Sequence, residues 1–237
     1  MHIAILIGHF PPGSFGGAQI QAESWARRLA DRHRVTVITR RDPPSQARLE
    51  DRDGFRVVRL PVSGLPLWRT FADVAAIERA VRALEPAPDL LLCFQTFVSG
   101  LAGVRVQAAT GIPAVVWIRG EAEYRFDQSR LHRWLSPRVW RAATGVLVQS
   151  EANRVDLLHA LERHAPAVVP LVRARLAVIP NGLDLPSEVC APGARVLSVG
   201  RSVGNSWLVE NGIADGDRVV VEGSQFVRSG QDVAAVE

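Results

Sequence analysis

A proline- and glycine-rich loop near the N-terminus is the first candidate for chemistry. The sequence IAILIGHFPPGSFGGAQ places Gly16 and Gly17 between an apolar run and an amphipathic stretch. A helix that begins there presents free backbone N–H groups, which favour anions, and glycine lets a ligand approach closely. The loop matches neither the GxGxxG fingerprint nor a Walker loop, which requires a lysine. On spacing alone, an anion-binding loop and a plain strand-to-helix turn are both open.

Charged residues that follow a later apolar run are the second candidate. Arg119, Glu121 and Glu123 come after residues 114–118. Charges at the end of a parallel strand can orient a sugar hydroxyl or a phosphate. A solvated loop is the alternative. His9, after the first apolar run, is open in the same way to a ligand-facing role or to an ordinary loop position.

Two further segments have both a functional and a structural interpretation. Asn181, Gly182 and Asp184 are predicted to shape a turn through side-chain-to-backbone hydrogen bonds. The stretch RLHRWLSPRVWRAA combines arginine with tryptophan, which suits an anionic membrane interface, although a helix that packs its tryptophans on a sheet is the alternative. The residues concerned are Arg130, Arg133, Trp134, Arg138, Trp140 and Arg141.

The composition limits the partners and cofactors of the chain. Its 28 lysine-or-arginine residues are all arginine, so no lysine can act as a base or form a Schiff base. The net charge of +4 is modest and no nucleic-acid-binding module is present, so we expect no nucleic acid partner. Cys93 and Cys190 have no metal-site spacing, so we expect no metal and no disulfide framework. The apolar runs are too short for a signal peptide or a membrane span, which predicts a cytoplasmic protein, with contact at the inner face of the membrane left open.

The elements that must position these residues alternate between strand and helix. Near-continuous Val/Ile/Leu runs are typical of strands buried on both faces, and the helical stretches between them favour right-handed crossovers. We therefore predict an α/β fold with one Rossmann-like, doubly wound parallel sheet over residues 1–200. The predicted strands are residues 3–7, 35–39, 55–60, 90–94, 114–118, 146–149, 176–179 and 196–199, and the predicted helices are residues 18–33, 71–84, 97–109, 131–143 and 151–163.

The pattern changes in residues 201–237, which we predict to be a β-rich tail. Short apolar runs at 207–209, 218–221 and 233–236 are separated by Gly and Asp, as in GIADGDRVVVEG. A segment below about 40 residues does not normally fold alone. The tail is therefore not expected to be an independent domain.

Four blocks give the first 200 residues a resemblance to the GT-B glycosyltransferases of family 4. They are PPGSFGGAQIQAESWARRLADRHRVTVIT, PAVVWIRGEAEYRF, GVLVQSEANRVDLL and LAVIPNGLDL, in the order that the family shows. The resemblance implies the N-terminal, acceptor-side half of a GT-B fold. It also implies a hexosyltransferase that moves a sugar from a nucleotide-sugar to a hydroxyl acceptor, which can be lipid-linked, with retention and without a bound metal or other cofactor.

The resemblance also implies roles for individual residues. Gly16 and Gly17 would approach the donor phosphates or the transferred sugar, and Arg119, where the family usually has His, would line the cleft with Glu121. Arg201, in ARVLSVGR, matches the family's diphosphate-binding Arg, but the Lys that follows it in the family is absent. The rest of the donor-binding domain has no counterpart, so we expect a truncated chain that is inactive alone. The face left without a partner predicts self-association.

The tail has a resemblance of its own. The sequence GRSVGNSWLVENGIADGDRVVVEGSQFVRSGQDVAAVE is similar to the C-terminal end of the periplasmic adaptor (membrane fusion) subunits of RND-type efflux pumps, with Trp207, Gly212, Asp217, Gly223 and Gly230 in the family's spacing. A divergent fragment of a donor-binding domain is the alternative for this segment. Two functions follow: the acceptor-side domain of a glycosyltransferase, or a non-catalytic chimaeric remnant with an efflux-adaptor tail.

Overall fold

An eight-stranded sheet forms the centre of the computed structural model, which describes residues 1–12, 16–61, 69–127, 129–182, 198–203 and 206–211. The strands are β1 (His2–Leu6), β2 (Arg34–Arg40), β3 (Leu49–Arg52), β4 (Phe55–Leu60), β5 (Leu90–Phe94), β6 (Ala114–Trp117), β7 (Gly145–Val148) and β8 (Leu176–Val178). Their order is β3-β4-β2-β1-β5-β6-β7-β8, and all neighbours are parallel except β3 and β4. The predicted doubly wound parallel sheet is confirmed, with an antiparallel strand added at one edge.

The strand that the sequence did not predict is β3. Its residues, LEDR, are mostly charged, because an edge strand does not need a continuous apolar run. Arg52 pairs with Phe55 across the two-residue turn Asp53–Gly54, and both turn residues have positive φ angles, 51° and 81°. An Asp-Gly pair is a preferred hairpin turn, so the signal for β3 lay in the turn and not in the strand.

Helices cover both faces of the sheet. They are α1 (Gly17–Ala30), α2 (Arg69–Arg82), α3 (Leu101–Thr110), α4 (Arg130–Ala142), α5 (Glu151–His164) and α6 (Val169–Arg173). Ala22 and Ala26 of α1 pack in one apolar cluster, while residues of α2 to α6 pack in a second cluster. Strands β1 and β5 supply side chains to both clusters, which explains their continuous apolar sequence. None of the helices in the described part of the chain is long and apolar enough to cross a membrane.

The chain makes an irregular turn after β5, and the predicted start of the third helix is therefore wrong. Residues Thr96–Gly100 form this turn, and the regular helix begins only at Leu101. Gln95 and Val98 have positive φ angles of 77° and 57°, which non-glycine residues rarely adopt. The prediction failed there because nothing in the residue types indicates a left-handed backbone.

The structure divides into two units, Met1–Leu183 and Asp184–Glu237, and each is described by itself. The described part of the second unit is an antiparallel pair, β9 (Ser198–Val203) and β10 (Ser206–Asn211). The predicted strand at 196–199 overlaps β9, but its predicted place in the parallel sheet is wrong, because β9 pairs antiparallel with β10 in a sheet of two strands. The predicted run at 207–209 lies in β10. The predicted runs at 218–221 and 233–236 lie outside the described residues. The boundary that the sequence places between residues 200 and 201 stays a prediction.

Candidate functional site

The carboxyl ends of the parallel strands lie along one edge of the sheet in the first unit. Strand β1 has β2 as its neighbour on one side and β5 on the other, so the strand order reverses its direction at β1. In open α/β sheets, ligands bind outside the carboxyl ends of the strands at such a reversal of order. The loops that follow β1, β5, β6, β7 and β8 therefore build the candidate site.

The side chain of Arg119 is the main cationic group of this edge. Its guanidinium carbon lies 4.9 Å from the ring centroid of Trp117 and 5.4 Å from that of Phe94. Its Nη2 donates to Oδ1 of Asn181 at 3.0 Å, while Nε and Nη1 are buried without a hydrogen-bond partner among the described residues. Burial lowers the pKa of Arg119 to about 10, although the nearby Glu123 raises it, so the group is cationic at neutral pH. A cation at the ends of the strands can bind an anion or a hydroxyl-rich ligand.

Asn181 and Gln149 hold Arg119 in place across three strand ends. Asn181 follows β8, and its Nδ2 donates to Oε1 of Gln149, which follows β7, at 2.8 Å. The next residue, Gly182, accepts a hydrogen bond from Nε2 of Gln21 in α1 at 2.7 Å. The sequence predicted side-chain-to-backbone bonds for Asn181, whereas the structure shows side-chain-to-side-chain bonds. Asp184 lies outside the described residues.

A buried carboxylate, that of Glu123, ties the end of β5 to the end of β6. Its Oε2 accepts a hydrogen bond from the backbone N–H of Thr96 at 2.6 Å, and its Oε1 accepts one from the backbone N–H of Arg119 at 2.7 Å. Burial raises the pKa of Glu123, while the hydrogen bonds from Thr96, Arg119 and Gly120 lower it. Oγ1 of Thr96 accepts a hydrogen bond from the buried Nε1 of Trp140 in α4 at 2.8 Å. Glu123 therefore fixes the backbone that carries Arg119, together with the strained turn that begins at Gln95.

The glycine pair stands at the start of α1. Gly16 is the residue before the helix and has an extended backbone with no side-chain cap, and Gly17 is the first helical residue. A Cβ on Gly17 would meet nothing within 4 Å, so the space beside it is open. The first turn of α1 contains no acidic residue, so its free N–H groups favour an anion. The donor-binding role of both glycines stays a prediction.

The other predicted site residues differ in their surroundings. Glu121 is exposed and pairs with Arg125 four residues later, so its role in lining the cleft stays a prediction. Arg201 lies in β9 of the second unit, and its donor-binding role also stays a prediction. His9 follows β1 by three residues, and its ligand-facing role is likewise a prediction. Within the described ranges, no cluster of three His, Cys, Asp or Glu residues could hold a metal ion.

Sequence reasoning gave no functional role to Thr96 or Gln149. Gln149 directly follows β7, and Thr96 lies two residues after the end of β5. A polar residue at the end of a buried strand was the signal that could have indicated them. Trp140 was weighed for a membrane interface, but it is fully buried. The roles of these residues depend on contacts between residues far apart in the chain, such as the one between Thr96 and Trp140, which are 44 positions apart.

A protein-family model matches most of the first unit. The model describes a glycosyl transferase 4-like domain and matches residues 16–182, which is more than half of the chain. The match includes Gly16, Gly17, Arg119 and Glu121, and it ends at Gly182.

Solved structures show the same fold at low sequence identity. Sucrose-phosphate synthase from Thermosynechococcus elongatus superposes with a TM-score of 0.61 and 17% identity over 76% of this chain and 47% of that one. Anabaena HepE, solved in complex with UDP-glucose, gives 0.54 and 18% over 78% of this chain and 44% of that one. The lipopolysaccharide outer core galactosyltransferase WaaB superposes with a TM-score of 0.50 and 13% identity over 81% of this chain and 49% of that one. The chain thus spans about half the length of each of these proteins.

Curated relatives match a short segment only. The solvent efflux pump periplasmic linker SrpA of Pseudomonas putida is 50% identical over 44 residues, which is 19% of this chain and 12% of that protein. The toluene efflux pump periplasmic linker protein TtgG of Pseudomonas putida is also 50% identical over 44 residues, 19% and 11% of the two chains. Both resemblances drawn from the sequence are therefore confirmed.

Proposed function

The chain belongs to the glycosyl transferase 4-like family, and from this premise we propose that its first unit is the acceptor-side half of a retaining hexosyltransferase. The reaction moves a sugar from a nucleotide-sugar to a hydroxyl acceptor, which can be lipid-linked, in the cytoplasm. The family match and the GT-B glycosyltransferase fold support transferase chemistry. The complex of Anabaena HepE with UDP-glucose supports a uridine diphosphate sugar as the donor.

The observation that carries this proposal is the state of Arg119. A guanidinium that is half-buried, stacked on two rings and paired with no carboxylate among the described residues offers its positive charge to an anionic ligand. The departing diphosphate develops negative charge, and fixed N–H donors stabilise such charge without reorganisation. We propose that the start of α1, at Gly16 and Gly17, faces the donor, and that Arg119 and Glu121 line the cleft. Arg201 would offset diphosphate charge, and no bound metal is needed.

A titration tests the ligand-binding part of the proposal. UDP should bind the purified chain weakly, and Arg119→Gln should lower the affinity at least fivefold, because one charge-assisted hydrogen bond contributes about 1.5–3 kcal/mol. The matched control is Arg56→Gln, which removes an equal charge. Arg56 is exposed, pairs with Asp51 and lies near the amino end of β4, at the opposite edge of the sheet. Equal losses in both variants, or no heat of UDP binding with the unsubstituted chain, would contradict the proposal.

We further propose that these 237 residues alone have negligible transferase activity. The C-terminal segment is similar to efflux pump periplasmic linkers, whereas a donor-binding half would be needed to close the cleft. Mass-spectrometric assays of several nucleotide-sugars should show no turnover above the buffer rate. The face that would meet a donor-binding half should promote self-association, and a single monomer peak by light scattering at high concentration would contradict that part.

The second candidate function is a non-catalytic chimaeric remnant. The 50% identity to efflux linkers over 44 residues favours it, because this segment matches proteins outside the transferase family. Under this alternative, UDP does not bind, and Arg119→Gln changes nothing. Sequencing genomic DNA across the codons around Arg201 would show whether one continuous reading frame joins the two segments.

A further inference from the structure

Helix α4 places its two tryptophans on opposite faces. Trp140 is completely buried and donates to Thr96, so it belongs to the core. Trp134 is 57% exposed, and Leu131, three residues earlier, is also 57% exposed. Residues three apart on a helix are surface neighbours, so Leu131 and Trp134 form one apolar spot.

Four arginines surround this apolar spot, and we name the six residues together the α4 surface. The arginines are Arg130, Arg133, Arg138 and Arg141, and all are exposed. The guanidinium carbon of Arg138 lies 4.4 Å from the ring centroid of Trp134, which joins the basic and apolar parts of the surface. Helix α4 contains no acidic residue that could compensate its charge.

The charge of the α4 surface is not neutralised by its surroundings. In the described part of the chain, none of its four arginines forms an ion pair with a carboxylate. Exposed arginines on other elements do so, as Arg56 does with Asp51 and Arg154 with Glu151. Uncompensated basic charge around an exposed tryptophan is the combination that binds a surface with negative headgroups and an apolar layer beneath.

We propose that the α4 surface docks this chain on a lipid membrane that contains anionic phospholipid. Trp134 and Leu131 lie among the headgroups, and the four arginines contact lipid phosphates. Docking is shallow, because the opposite face of α4 is held in the core by Trp140 and Val139. Two copies of this surface would bring like charges together, which disfavours a second chain as the occupant. A nucleic acid would use the arginines, but its phosphates would gain nothing from Leu131.

Sedimentation with vesicles tests this proposal independently of sugar transfer. The full chain should sediment with vesicles that contain phosphatidylglycerol and stay in solution with vesicles of phosphatidylcholine alone. Raising the salt concentration should weaken the binding, because exposed charges are screened. We expect the triple variant Arg130→Gln/Arg133→Gln/Arg141→Gln to lower the partition at least tenfold, since one basic residue contributes about fivefold. The double variant Leu131→Ser/Trp134→Ser should also lower it at least tenfold, because it removes the two apolar side chains of the surface.

Matched controls separate this surface from general stickiness. Val155→Ser changes another exposed apolar residue, on α5, and Arg56→Gln/Arg105→Gln/Arg154→Gln removes the same total charge from arginines paired with carboxylates. Both control variants should sediment as the unsubstituted chain does. Far-UV circular dichroism checks that every variant is folded. Vesicles should also shift the tryptophan emission of the unsubstituted chain. The conservative variant Trp134→Phe should abolish most of that shift.

Three results would overturn the proposal. The first is equal sedimentation with both vesicle types, and the second is equal loss in the test and control variants. The third is binding that needs the arginines but not Leu131 and Trp134, which would identify a polyanion such as RNA as the occupant.

Discussion

Two arginines at different parts of the sheet differ in how their charges are paired. Arg59, at the β3–β4 edge, is 2% exposed, and its Nη1 and Nη2 donate to Oε2 of Glu50 at 2.5 Å and to the carbonyl of Pro11 at 3.0 Å. Arg119, at the β6–β8 strand ends, has no carboxylate on its guanidinium and leaves Nε and Nη1 without partners in the described structure. The Nε of Arg59 is also buried without a partner among the described residues, so the two arginines differ in their contact with a carboxylate. A buried charge that lacks an opposite charge costs stability and is a candidate for a functional site.

The hairpin that carries Arg59 also contacts the proline-rich loop and helix α1. Arg52 donates to the same Pro11 carbonyl at 3.3 Å and pairs with Glu23 of α1 at 3.2 Å. The hairpin of β3 and β4 therefore contacts both the start of the proline-rich loop and the helix that follows it. Arg52 thereby links the hairpin to the residues on both sides of the loop that precedes α1.

The largest expected effect is on Arg59. The substitution Arg59→Met should lower the free energy of unfolding by about 3 kcal/mol, because it removes the buried guanidinium that donates to both the carboxylate of Glu50 and the carbonyl of Pro11. Arg56→Gln on the same strand should change it far less, since Arg56 and its partner are exposed. Urea denaturation measures both values. Similar stabilities for the two variants would break the distinction between the regions.

A smaller effect is expected at Glu123, where the amide of Glu123→Gln can accept only one of the two backbone hydrogen bonds. The loss should be about 1–2 kcal/mol at low pH, because the NH2 group of the amide cannot accept a hydrogen bond, whereas the hydroxyl oxygen of the protonated acid can. Burial raises the folded pKa of Glu123 above its ordinary value of 4.5, so the contribution of this group is complete below that pH and is lost as the pH rises through the raised pKa. The stability difference between the unsubstituted chain and Glu123→Gln should therefore narrow with rising pH. A gap that widens would show that the pKa is not raised.

The smallest stability effect should be at Arg119 itself. The substitution Arg119→Met removes a charge that is partly desolvated while keeping an apolar side chain over Trp117 and Phe94. We expect the free energy of unfolding to stay constant or to rise by up to about 1 kcal/mol, because the substitution removes the desolvation cost of the charge. The same urea experiment measures this change. A loss as large as that of Arg59→Met would assign Arg119 to the scaffold.

The sequence predicted the parts of the fold that local pattern controls. Residues Ile3–Leu6 of β1 and Leu90–Phe94 of β5 are apolar because both faces of these strands are buried. The charged strand β3 and the left-handed turn after β5 had no such signal. Within the candidate site, Glu121 and Glu123 are alike in sequence. Only the contact of Glu123 with Thr96, 27 residues away, gives it the buried position.

Thermal unfolding in the presence of UDP tests the central claim most directly, because a ligand that binds only the folded chain raises its stability. At a UDP concentration ten times the dissociation constant, the unsubstituted chain and Arg56→Gln should each gain about 1.4 kcal/mol. Arg119→Gln should gain less than half as much at the same concentration, about 0.65 kcal/mol or less, because its affinity is at least fivefold lower. An equal rise of the melting temperature in Arg119→Gln, or no rise in the unsubstituted chain, would contradict the assignment of Arg119 as the anion-binding group of this site.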